Sequence, residues 1–592
     1  MAVSTEAPKA REQALGGLKN EDADFEKTVR GMMSGDFDDW PNEAGFEGLD
    51  EIRGPVELSV KGSIPTWAAG ALYRTGPGQY TIEDTPKGTF RTTHWFDGLG
   101  HSHKFNILSG SDGVVKVEYS SRRQSQAIYD AIKRDGKRPD VCFGQRMDPC
   151  IGLFGKIMSV WRGEPKAQGL ESDNINVVVH TNMPGMPSNA RAATASGHRG
   201  GIKSTWLSTD NAVMKEIDQD TLEPIGIARQ QKLHPLLKGP LSCAHAQRDP
   251  DTGDYFNFNL DLGYRSTYRV FRTSASTGKT DILATIAGVD IKPAYIHSFF
   301  LSPSFVILCV PSTHIAMMGI KIPWVGNMVD AIEPFDASKL CKWFVVDRLG
   351  NQGVVATFDS PAGFFFHSIN SFEERDEKTG DIDLYCDVIE YPTMDIIRSF
   401  ELDVVLRNGG ATKSFWGDEE RNRGCHARLA RRKFHILKLG SRGGNKSGPN
   451  RTAEKVLEIK APHAGELPTI NPVYTTKKHR YVYSIANRGY STLFDSIVKT
   501  DLETRETLYW ENPKGHTPGE AIFVPRPRSS DGGDLDEDDG VLLSVVLDGL
   551  GKKSYLLCLD ARTMKELGRA ECDFAVGFGF HGLHWPTASP TS

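Results

Sequence analysis

Short apolar runs separated by turn residues dominate the chain from about residue 55 onward. Apolar and polar positions alternate within many of these runs, as in Tyr-Phe-Asn-Phe-Asn-Leu at 255–260, which follows the turn sequence at 249–253. Alternation with a period of two is typical of half-buried β-strands, and the Asp, Pro and Gly between the runs are typical of tight turns. The pattern therefore predicts an all-β fold built from antiparallel hairpins.

One hairpin type recurs at 214–224, 497–507 and 556–565. In each copy a strand ends in Asp, two residues follow, and Thr opens the returning strand. An Asp side chain can accept the backbone N–H groups of such a turn. Many hairpins in one long chain favour a β-propeller, in which inner strands remote in sequence point towards one axis, with a β-sandwich as the alternative.

Two kinds of segment depart from the hairpin pattern. Residues 1–50 are polar and acidic, and they predict a mobile or loosely docked N-terminal tail. Residues 51–592 contain no dividing linker, so we expect a single propeller domain. Insertions at about 141–205, 313–335 and 405–455 are predicted to form a cap of helices and loops over the face that carries the candidate site.

Charge and composition narrow the class of protein. The net charge is −6 with acids and bases interspersed, which does not favour nucleic-acid binding. The nine cysteines contain no CxxC pair, which indicates a reducing compartment, and no run approaches the roughly 18 apolar residues of a membrane span. We expect a cytoplasmic protein, with peripheral association with a membrane or lipid droplet as an open alternative.

Four histidines share an unusual context, since each interrupts an apolar or aromatic run: His245, His297, His367 and His581. Neutral imidazole is a common metal ligand, and four of them would leave two adjacent positions open on an octahedral ion. Such a site suits ferrous iron that holds dioxygen, whereas structural zinc more often recruits cysteine. With 17 histidines in the chain, ordinary core packing explains the pattern equally well at this point.

Ligand imidazoles need an acceptor for their outer N–H group, and this acceptor is usually a carboxylate. Glu466 and Glu520 are single acids that each lead into strand and turn residues. They are the candidates for this supporting role, although a surface position is the default for any one glutamate.

Eight motifs together identify a resemblance that covers about residues 73–584. They are LYRTGPG (72–78), HWFDGLGHSHKF (94–105), SCAHAQRDPDTG (242–253), YIHSFFLSP (295–303), FFFHSINSFEE (364–374), GELPTIN (465–471), GEAIFVPRP (519–527) and FGFHGLHWP (578–586). In this order they resemble the carotenoid cleavage oxygenase family. The resemblance implies a seven-bladed β-propeller with one Fe(II) per chain.

The resemblance also implies roles for individual residues. The four ligands would be His245, His297, His367 and His581, with His584 outside the matching position. Glu466 would orient His367, and Glu520 would orient His581. Family members usually carry a third such glutamate before the first Asp-x-x-Thr hairpin, where this chain has Thr209 with Asp210 beside it. We expect Thr209 to accept a weak hydrogen bond from His297.

In this family dioxygen cleaves one conjugated double bond of a lipophilic polyene. An apolar channel admits the polyene to a set depth, which determines the double bond that is cleaved. The candidates for lining that channel are Phe364, Phe365, Phe366, Phe299, Trp95 and Phe96. The family takes its substrates from bilayers. The candidates for peripheral membrane contact are Met317, Met318, Ile322 and Trp324.

The extended N-terminal tail, the insertion at 181–204 and the basic insertion near Arg421 resemble those of filamentous-fungal members. This resemblance predicts a torulene-type cleavage of a C40 carotenoid to a C35 apocarotenoid aldehyde. Central cleavage of β-carotene to retinal is one alternative. Cleavage of hydroxystilbenes such as resveratrol is another, but the lysine that activates the phenol there aligns with Ser208. A metal-free propeller that acts as a scaffold is the non-enzymatic alternative.

Overall fold

The computed structural model describes residues 20–47, 49–146, 169–189, 202–407, 410–437, 451–528 and 535–586. Much of the predicted insertion at 141–205 and part of that at 405–455 lie outside these residues. The limits of the predicted insertions, and the division of the chain near residue 50, remain predictions.

The described residues form five four-stranded antiparallel sheets, one ten-stranded sheet and the hairpin of β3 (Thr81–Thr85) and β4 (Gly88–Arg91). The four-stranded sheets consist of β7 (Val178–Thr181), β8 (Thr205–Ser208), β9 (Val213–Ile217) and β10 (Pro224–Arg229); β11 (Gln247–Arg248), β12 (Tyr255–Asp261), β13 (Thr267–Thr273) and β14 (Thr280–Ala287); β15 (Phe300–Leu301), β16 (Phe305–Val310), β17 (Cys341–Asp347) and β18 (Val354–Ser360); β19 (Phe364–Arg375), β20 (Ile382–Tyr391), β21 (Arg428–Ile436) and β22 (Glu454–Lys460); and β23 (Glu466–Thr469), β24 (Tyr481–Ala486), β25 (Ser496–Asp501) and β26 (Thr507–Tyr509). The ten-stranded sheet consists of β1 (Val56–Gly62), β2 (Gly70–Gln79), β5 (Leu99–Ser109), β6 (Val115–Arg123), β27 (His516–Pro518), β28 (Ile522–Pro525), β29 (Gly540–Asp548), β30 (Lys553–Asp560), β31 (Glu566–Glu571) and β32 (His581–Pro586).

The sheets are arranged as in a propeller, because their inner strands pack side by side around one axis. Strand β11 lies beside β15, β15 beside β19, and β19 beside β23, while β32 lies between β28 and β7. A mostly β, propeller-like architecture is therefore confirmed, with short helices added to the predicted strands.

The predicted number of blades is corrected: the described residues show five separate blades, not seven. Strand β1 is the reason. Its residues Val56–Leu58 pair with β6, whereas Ser59–Gly62 pair with β31. This shared strand fuses the first and last parts of the chain into one ten-stranded sheet instead of leaving separate blades.

The predicted Asp-x-x-Thr turns are confirmed. The side-chain Oδ1 of Asp218 accepts the backbone N–H of Thr221 at 2.8 Å, and Asp560 accepts that of Thr563 at 2.8 Å. The third copy, at Asp501, has the same bond at 3.2 Å. These carboxylates satisfy turn donors that have no partner in the strands, which stabilises the hairpins.

The helices are short and lie between strands or before the first sheet: α1 (Glu21–Ser34), α2 (Gln126–Asp135), α3 (Lys321–Val325), α4 (Asp395–Ser399), α5 (Leu402–Val405), α6 (Ala411–Trp416) and α7 (Glu419–Gly424). Short 3₁₀ helices lie at Glu43–Gly45, Thr66–Ala68, Trp95–Asp97, Gln230–Lys232, Ala316–Gly319, Val329–Ala331 and Pro472–Tyr474. Within the described ranges, none of these helices combines the length and apolar character that crossing a bilayer requires.

The N-terminal segment corrects another prediction, because residues 20–47 are docked rather than mobile or loosely held. Helix α1 buries Phe25, Val29 and Met32, whose spacing of four and three residues places them on one face. Acidic residues beside this face form ion pairs, including Glu26 with Arg423 at 2.7 Å. The segment continues to Phe46, whose ring packs against Trp95.

The contact between α1 and the loop after β24 makes Gly31→Ala a test of this docking. Alanine normally stabilises a helix interior by about 1 kcal/mol relative to glycine. Here the added Cβ would lie 2.9 Å from the carbonyl oxygen of Gly489, which is backbone and cannot rotate away. We expect Gly31→Ala to lower the free energy of unfolding by roughly 1–3 kcal/mol, measured by urea denaturation.

Gly54→Ala is the matched control, because no atom lies within 4 Å of the added Cβ. It should change the free energy of unfolding by less than about 0.5 kcal/mol. A gain in stability for Gly31→Ala would contradict the close docking of α1.

Candidate metal centre

The four histidines singled out in the sequence lie at the axial ends of four inner strands. His245 precedes β11, His297 precedes β15, His367 lies in β19, and His581 begins β32. One nitrogen from each ring lies within 4.8 Å of those of the other three. The Nε2 atom of His581 is 2.9 Å from that of His245 and 3.2 Å from that of His367. The fold thus brings all four predicted ligands together.

This donor set fits a metal ion. Two nitrogen ligands at right angles on an ion with bonds of about 2.1 Å are about 3.0 Å apart, which matches the two Nε2 separations. Four lone pairs that face one another would otherwise repel. The group that meets here consists of imidazoles alone, with no thiolate from the described residues.

Both predicted supporting carboxylates contact the expected rings. Oε2 of Glu466 lies 2.5 Å from Nδ1 of His367, and Oε1 of Glu520 lies 2.7 Å from Nδ1 of His581. Both glutamates are buried and further held, since Tyr391 donates to Glu466 at 2.7 Å and Arg74 donates to Glu520 at 2.8 Å. A proton held on Nδ1 leaves the Nε2 lone pair free to face the centre.

The predicted support for His297 is corrected by one position. Asp210, not Thr209, contacts Nδ1 of His297, with its two oxygens at 2.9 and 3.0 Å. Asp210 also accepts a hydrogen bond from the hydroxyl of Tyr295 at 2.8 Å and from the backbone N–H of Ala244 at 3.0 Å. The strand β8 ends at Ser208, so the turn that follows directs the second residue, not the first, towards His297.

Burial and neighbouring charges favour neutral imidazoles at His245 and His581 and ionised carboxylates at Glu466 and Glu520. Burial lowers the pKa of His581 to about 4 and lowers the pKa of His245 well below its ordinary value. Burial by itself would raise the pKa of Glu466, but the His367 imidazole and the Tyr391 hydroxyl bring the pKa below its ordinary value. For Glu520 the same burial is outweighed by His581 and Arg74, so its pKa is also lowered.

A cavity of about 1000 Å³ opens on three of the four histidines, His297, His367 and His581. Three of the six aromatic residues predicted to line it do so: Trp95, Phe96 and Phe366. The predictions for the other three are corrected. Phe364 packs behind Phe366 with ring centroids 4.6 Å apart, Phe365 packs against Phe300, and Phe299 packs against Phe258.

Sequence reasoning missed several residues of this site. Asp210 stands next to the predicted Thr209, and Tyr295 lies two residues before His297. Phe400 and Phe580 line the cavity, and Phe580 directly precedes His581 in the FGFHG motif. Their positions beside motif residues were the available signal, but the sequence did not indicate which side chains face the cavity.

The segment after β16 forms one edge of the cavity and carries the predicted membrane residues. Met317, Met318 and Trp324 are exposed, with 64% of the Met317 surface accessible. Ile322 is buried against Ile315 and lines the cavity, so its prediction as a surface contact is wrong. Ile320, which was not predicted, is exposed instead.

The fold and the site together define a propeller-like β protein with four imidazoles arranged to hold a metal ion at the wall of a large cavity. The family model described as "Retinal pigment epithelial membrane protein" matches residues 45–586. The chain belongs to this family.

The similarity to known proteins extends over nearly the whole chain. The protein named carotenoid dioxygenase from Neurospora crassa is 53% identical over 586 residues, covering 96% of this chain and 95% of the relative. The protein named torulene dioxygenase from Gibberella fujikuroi is 47% identical, covering 96% and 98%. Beta,beta-carotene 15,15'-dioxygenase from Mus musculus is 27% identical, covering 90% of each chain.

A solved structure has the same fold. Cobalt-substituted Synechocystis ACO matches with a TM-score of 0.66 at 21% sequence identity, over 93% of this chain and 99% of that one. At this identity the likeness supports the architecture of the sheets and carries nothing about the ligands.

Proposed function

We propose that this protein is an iron-dependent dioxygenase that cleaves one conjugated C=C bond of a carotenoid. The observation that carries the proposal is the convergence of four imidazole nitrogens at the wall of a cavity that Trp95, Phe96 and Phe366 line. The names of the relatives at 53% and 47% identity support the same reaction class. Of these, the torulene dioxygenase favours torulene as the substrate and a C35 apocarotenoid aldehyde as the product.

The ligand roles of His245, His297, His367 and His581, and the supporting roles of Glu466, Glu520 and Asp210, belong to this proposal. Ferrous iron bound by these imidazoles would supply the centre that activates dioxygen beside the polyene. Four neutral ligands leave the charge of the ion uncompensated, whereas thiolates would favour zinc. The reaction consumes one dioxygen and yields two carbonyl fragments, so no other co-substrate is required.

The chain's own residues position the substrate and keep water out. Aromatic rings along the cavity suit the flat, apolar face of a conjugated polyene and exclude water from it. The depth at which the chain of the polyene stops relative to the four imidazoles selects the double bond. Glu466 and Glu520 hold the protons on Nδ1 of His367 and His581, which keeps Nε2 of each directed at the centre.

The hydrogen bonds of Ser208 disfavour a hydroxystilbene substrate. Its hydroxyl donates to the backbone oxygen of Ala244 at 3.1 Å and lies 2.8 Å from Nε2 of His180. Because this hydroxyl is already hydrogen-bonded and carries no positive charge, it cannot ionise a phenol as a lysine would.

Incubation of the purified protein with torulene, β-carotene and resveratrol in detergent tests the substrate. We expect about one iron per chain and conversion of torulene to a C35 aldehyde, identified by chromatography and mass spectrometry. Exclusive consumption of resveratrol would contradict the carotenoid substrate. A protein that binds no iron and converts none of the three would leave only the scaffold function.

We further propose that the exposed apolar residues beside the cavity touch a membrane or lipid-droplet surface, from which the polyene enters. Met317, Met318, Ile320 and Trp324 are exposed around the segment that borders the cavity, and residues of this type suit a bilayer interface. Such contact would make the protein a peripheral membrane protein on the cytoplasmic side.

Met317→Glu combined with Trp324→Glu tests the membrane proposal. Charges at these positions should weaken partitioning onto liposomes by about tenfold or more, because each side chain no longer gains from leaving water. Leu349→Glu is the control, since Leu349 is exposed to a similar degree, at 68%, in the turn between β17 and β18. Equal partitioning of all variants in a flotation assay would contradict the proposal, and the iron content should remain unchanged.

A further inference from the structure

His245 differs from the other three candidate ligands in how its ring is supported. Carboxylates contact Nδ1 of His297, His367 and His581. In the described part of the chain, no carboxylate contacts the ring of His245. Ligand imidazoles need their orientation fixed from outside, so another feature must direct this ring.

The backbone around His245 is held from several sides. The N–H of Ala246 donates to the carbonyl oxygen of Ala244 at 3.1 Å, which closes a three-residue turn with His245 at its apex. The N–H of His245 donates to the carbonyl oxygen of His297 at 3.3 Å. The direction of the His245 side chain therefore depends on the position of the Ala244 peptide groups.

Both polar backbone atoms of Ala244 have side-chain partners. Asp210 accepts its N–H at 3.0 Å, and the hydroxyl of Ser208 donates to its carbonyl oxygen at 3.1 Å. A carbonyl can only accept, so the single hydroxyl proton of Ser208 is used in this bond. Nε2 of His180, at 2.8 Å from the Ser208 oxygen, is then the donor to that oxygen.

The hydrogen bond between Ser208 and Ala244 is buried, and His180 behind it is half-buried. Ser208 is 4% exposed, and Ala244 has no exposed surface. Removal of the Ser208 hydroxyl would leave a buried carbonyl with one partner fewer and would take the acceptor from His180, and both groups would relax. Such relaxation would move the turn that carries His245, while the other three rings would keep their carboxylates.

We propose that Ser208, with His180 behind it, is a positioning residue that directs the His245 imidazole at the metal through the Ala244 peptide. The role rests on the proposed function, because it requires a metal at this centre. It also gives Ser208 a function other than contact with the substrate. Consistent with this, Ser208 is absent from the cavity wall formed by the described residues, whereas its neighbours Thr209 and Asp210 belong to that wall.

Ser208→Ala in the full-length protein tests the proposal through metal release. We expect Co(II), loaded into the purified protein, to transfer to an excess of chelator about tenfold faster than from the parent protein, as is typical when an outer partner of a ligand is lost. The electron paramagnetic resonance spectrum of the Co(II) form should also change. Ser208→Thr, which keeps the hydroxyl, should restore both.

Ser371→Ala is the matched control. Its hydroxyl is also buried and donates to one backbone carbonyl, that of Tyr385, at 2.8 Å, but it contacts none of the four ligands. Its Co(II) spectrum and release rate should equal those of the parent. A purely structural cost of removing a buried hydroxyl would affect Ser371→Ala and Ser208→Ala alike and would overturn the proposal.

His180 provides a second, independent pair. His180→Gln keeps an N–H donor near the Ser208 oxygen, whereas His180→Leu removes it. We expect faster Co(II) release only from His180→Leu. Equal rates in this pair, or a parental rate and spectrum in Ser208→Ala, would overturn the positioning role. If Ser208→Ala does not fold, the His180 pair decides.

Failure of the positioning role and failure of the proposed function give different results. A parent protein that binds neither Co(II) nor iron contradicts both. A parent protein that binds the metal and cleaves a carotenoid, with Ser208→Ala unchanged in release and spectrum, contradicts only the role of Ser208.

Discussion

His367→Ala is expected to release the metal and to abolish carotenoid cleavage. Loss of an outer partner alone typically costs 10–100-fold in metal affinity, so loss of a ligand should cost more than about 100-fold. His367 is one of three candidate ligands that face the cavity, and its Nε2 lies 3.2 Å from that of His581. Iron per chain, measured by mass spectrometry after dialysis, should fall below about a tenth of the parental value.

His584→Gln is the control for this variant. His584 lies on the same strand as His581, but its Nε2 contacts the carbonyl oxygen of Ala68 at 3.0 Å instead of the metal centre. Glutamine can keep that hydrogen bond, so iron content and cleavage should remain near the parental level. Full iron and full activity in His367→Ala would remove the metal centre from the proposal altogether.

Asp210→Asn is expected to weaken metal binding by about 10–100-fold. Asp210 supports two ligand segments, because its carboxylate contacts Nδ1 of His297 and the N–H of Ala244. It also accepts a hydrogen bond from the hydroxyl of Tyr295. Burial and this carboxylate raise the pKa of Tyr295, so the phenol stays protonated and donates. An amide would turn one acceptor into a donor that faces other donors.

Thr209→Val is the matched variant for Asp210→Asn. It removes the hydroxyl that the sequence had suggested as the support of His297, and it keeps the shape of the side chain. Metal affinity, measured by competition with a chelator, should be unchanged in Thr209→Val. Equal losses in the two variants, or no loss in Asp210→Asn, would contradict the assignment of Asp210.

The sequence was sufficient to find the residues that converge, but not their immediate surroundings. A histidine inside an apolar strand is conspicuous, and all four such residues meet at one point. The support of His297 was misplaced by one residue because the turn after β8, not the strand, determines its direction. A turn of this kind leaves no periodic signal in the sequence.

The aromatic run at 364–366 shows a second limit. Strict alternation would place Phe366 and His367 on opposite faces, yet both border the cavity. The pairing of β19 with β20 shifts register between Phe365 and Ser368, and this bulge turns two successive side chains to the same side. Position along a strand therefore did not predict which phenylalanines line the cavity.

The N-terminal segment and the large sheet were misjudged for a different reason. In α1 the buried residues Phe25, Val29 and Met32 stand among acids, so composition suggested a tail where a docked helix is present. Strand β1 pairs with β6 and also with β31, whose residues lie about 500 positions later in the chain. Contacts of that sequence separation are tertiary and leave no local pattern.

The position of His581 has a consequence for biosynthesis. Three of the imidazoles belong to the middle of the chain, whereas His581 lies on β32, which pairs with β2. A ribosome makes β2 early and β32 late, so the four nitrogens cannot meet until β32 has paired with β2. A metal held by all four imidazoles would therefore be acquired only after β32 has been made, and once bound it would link this late strand to the earlier ones.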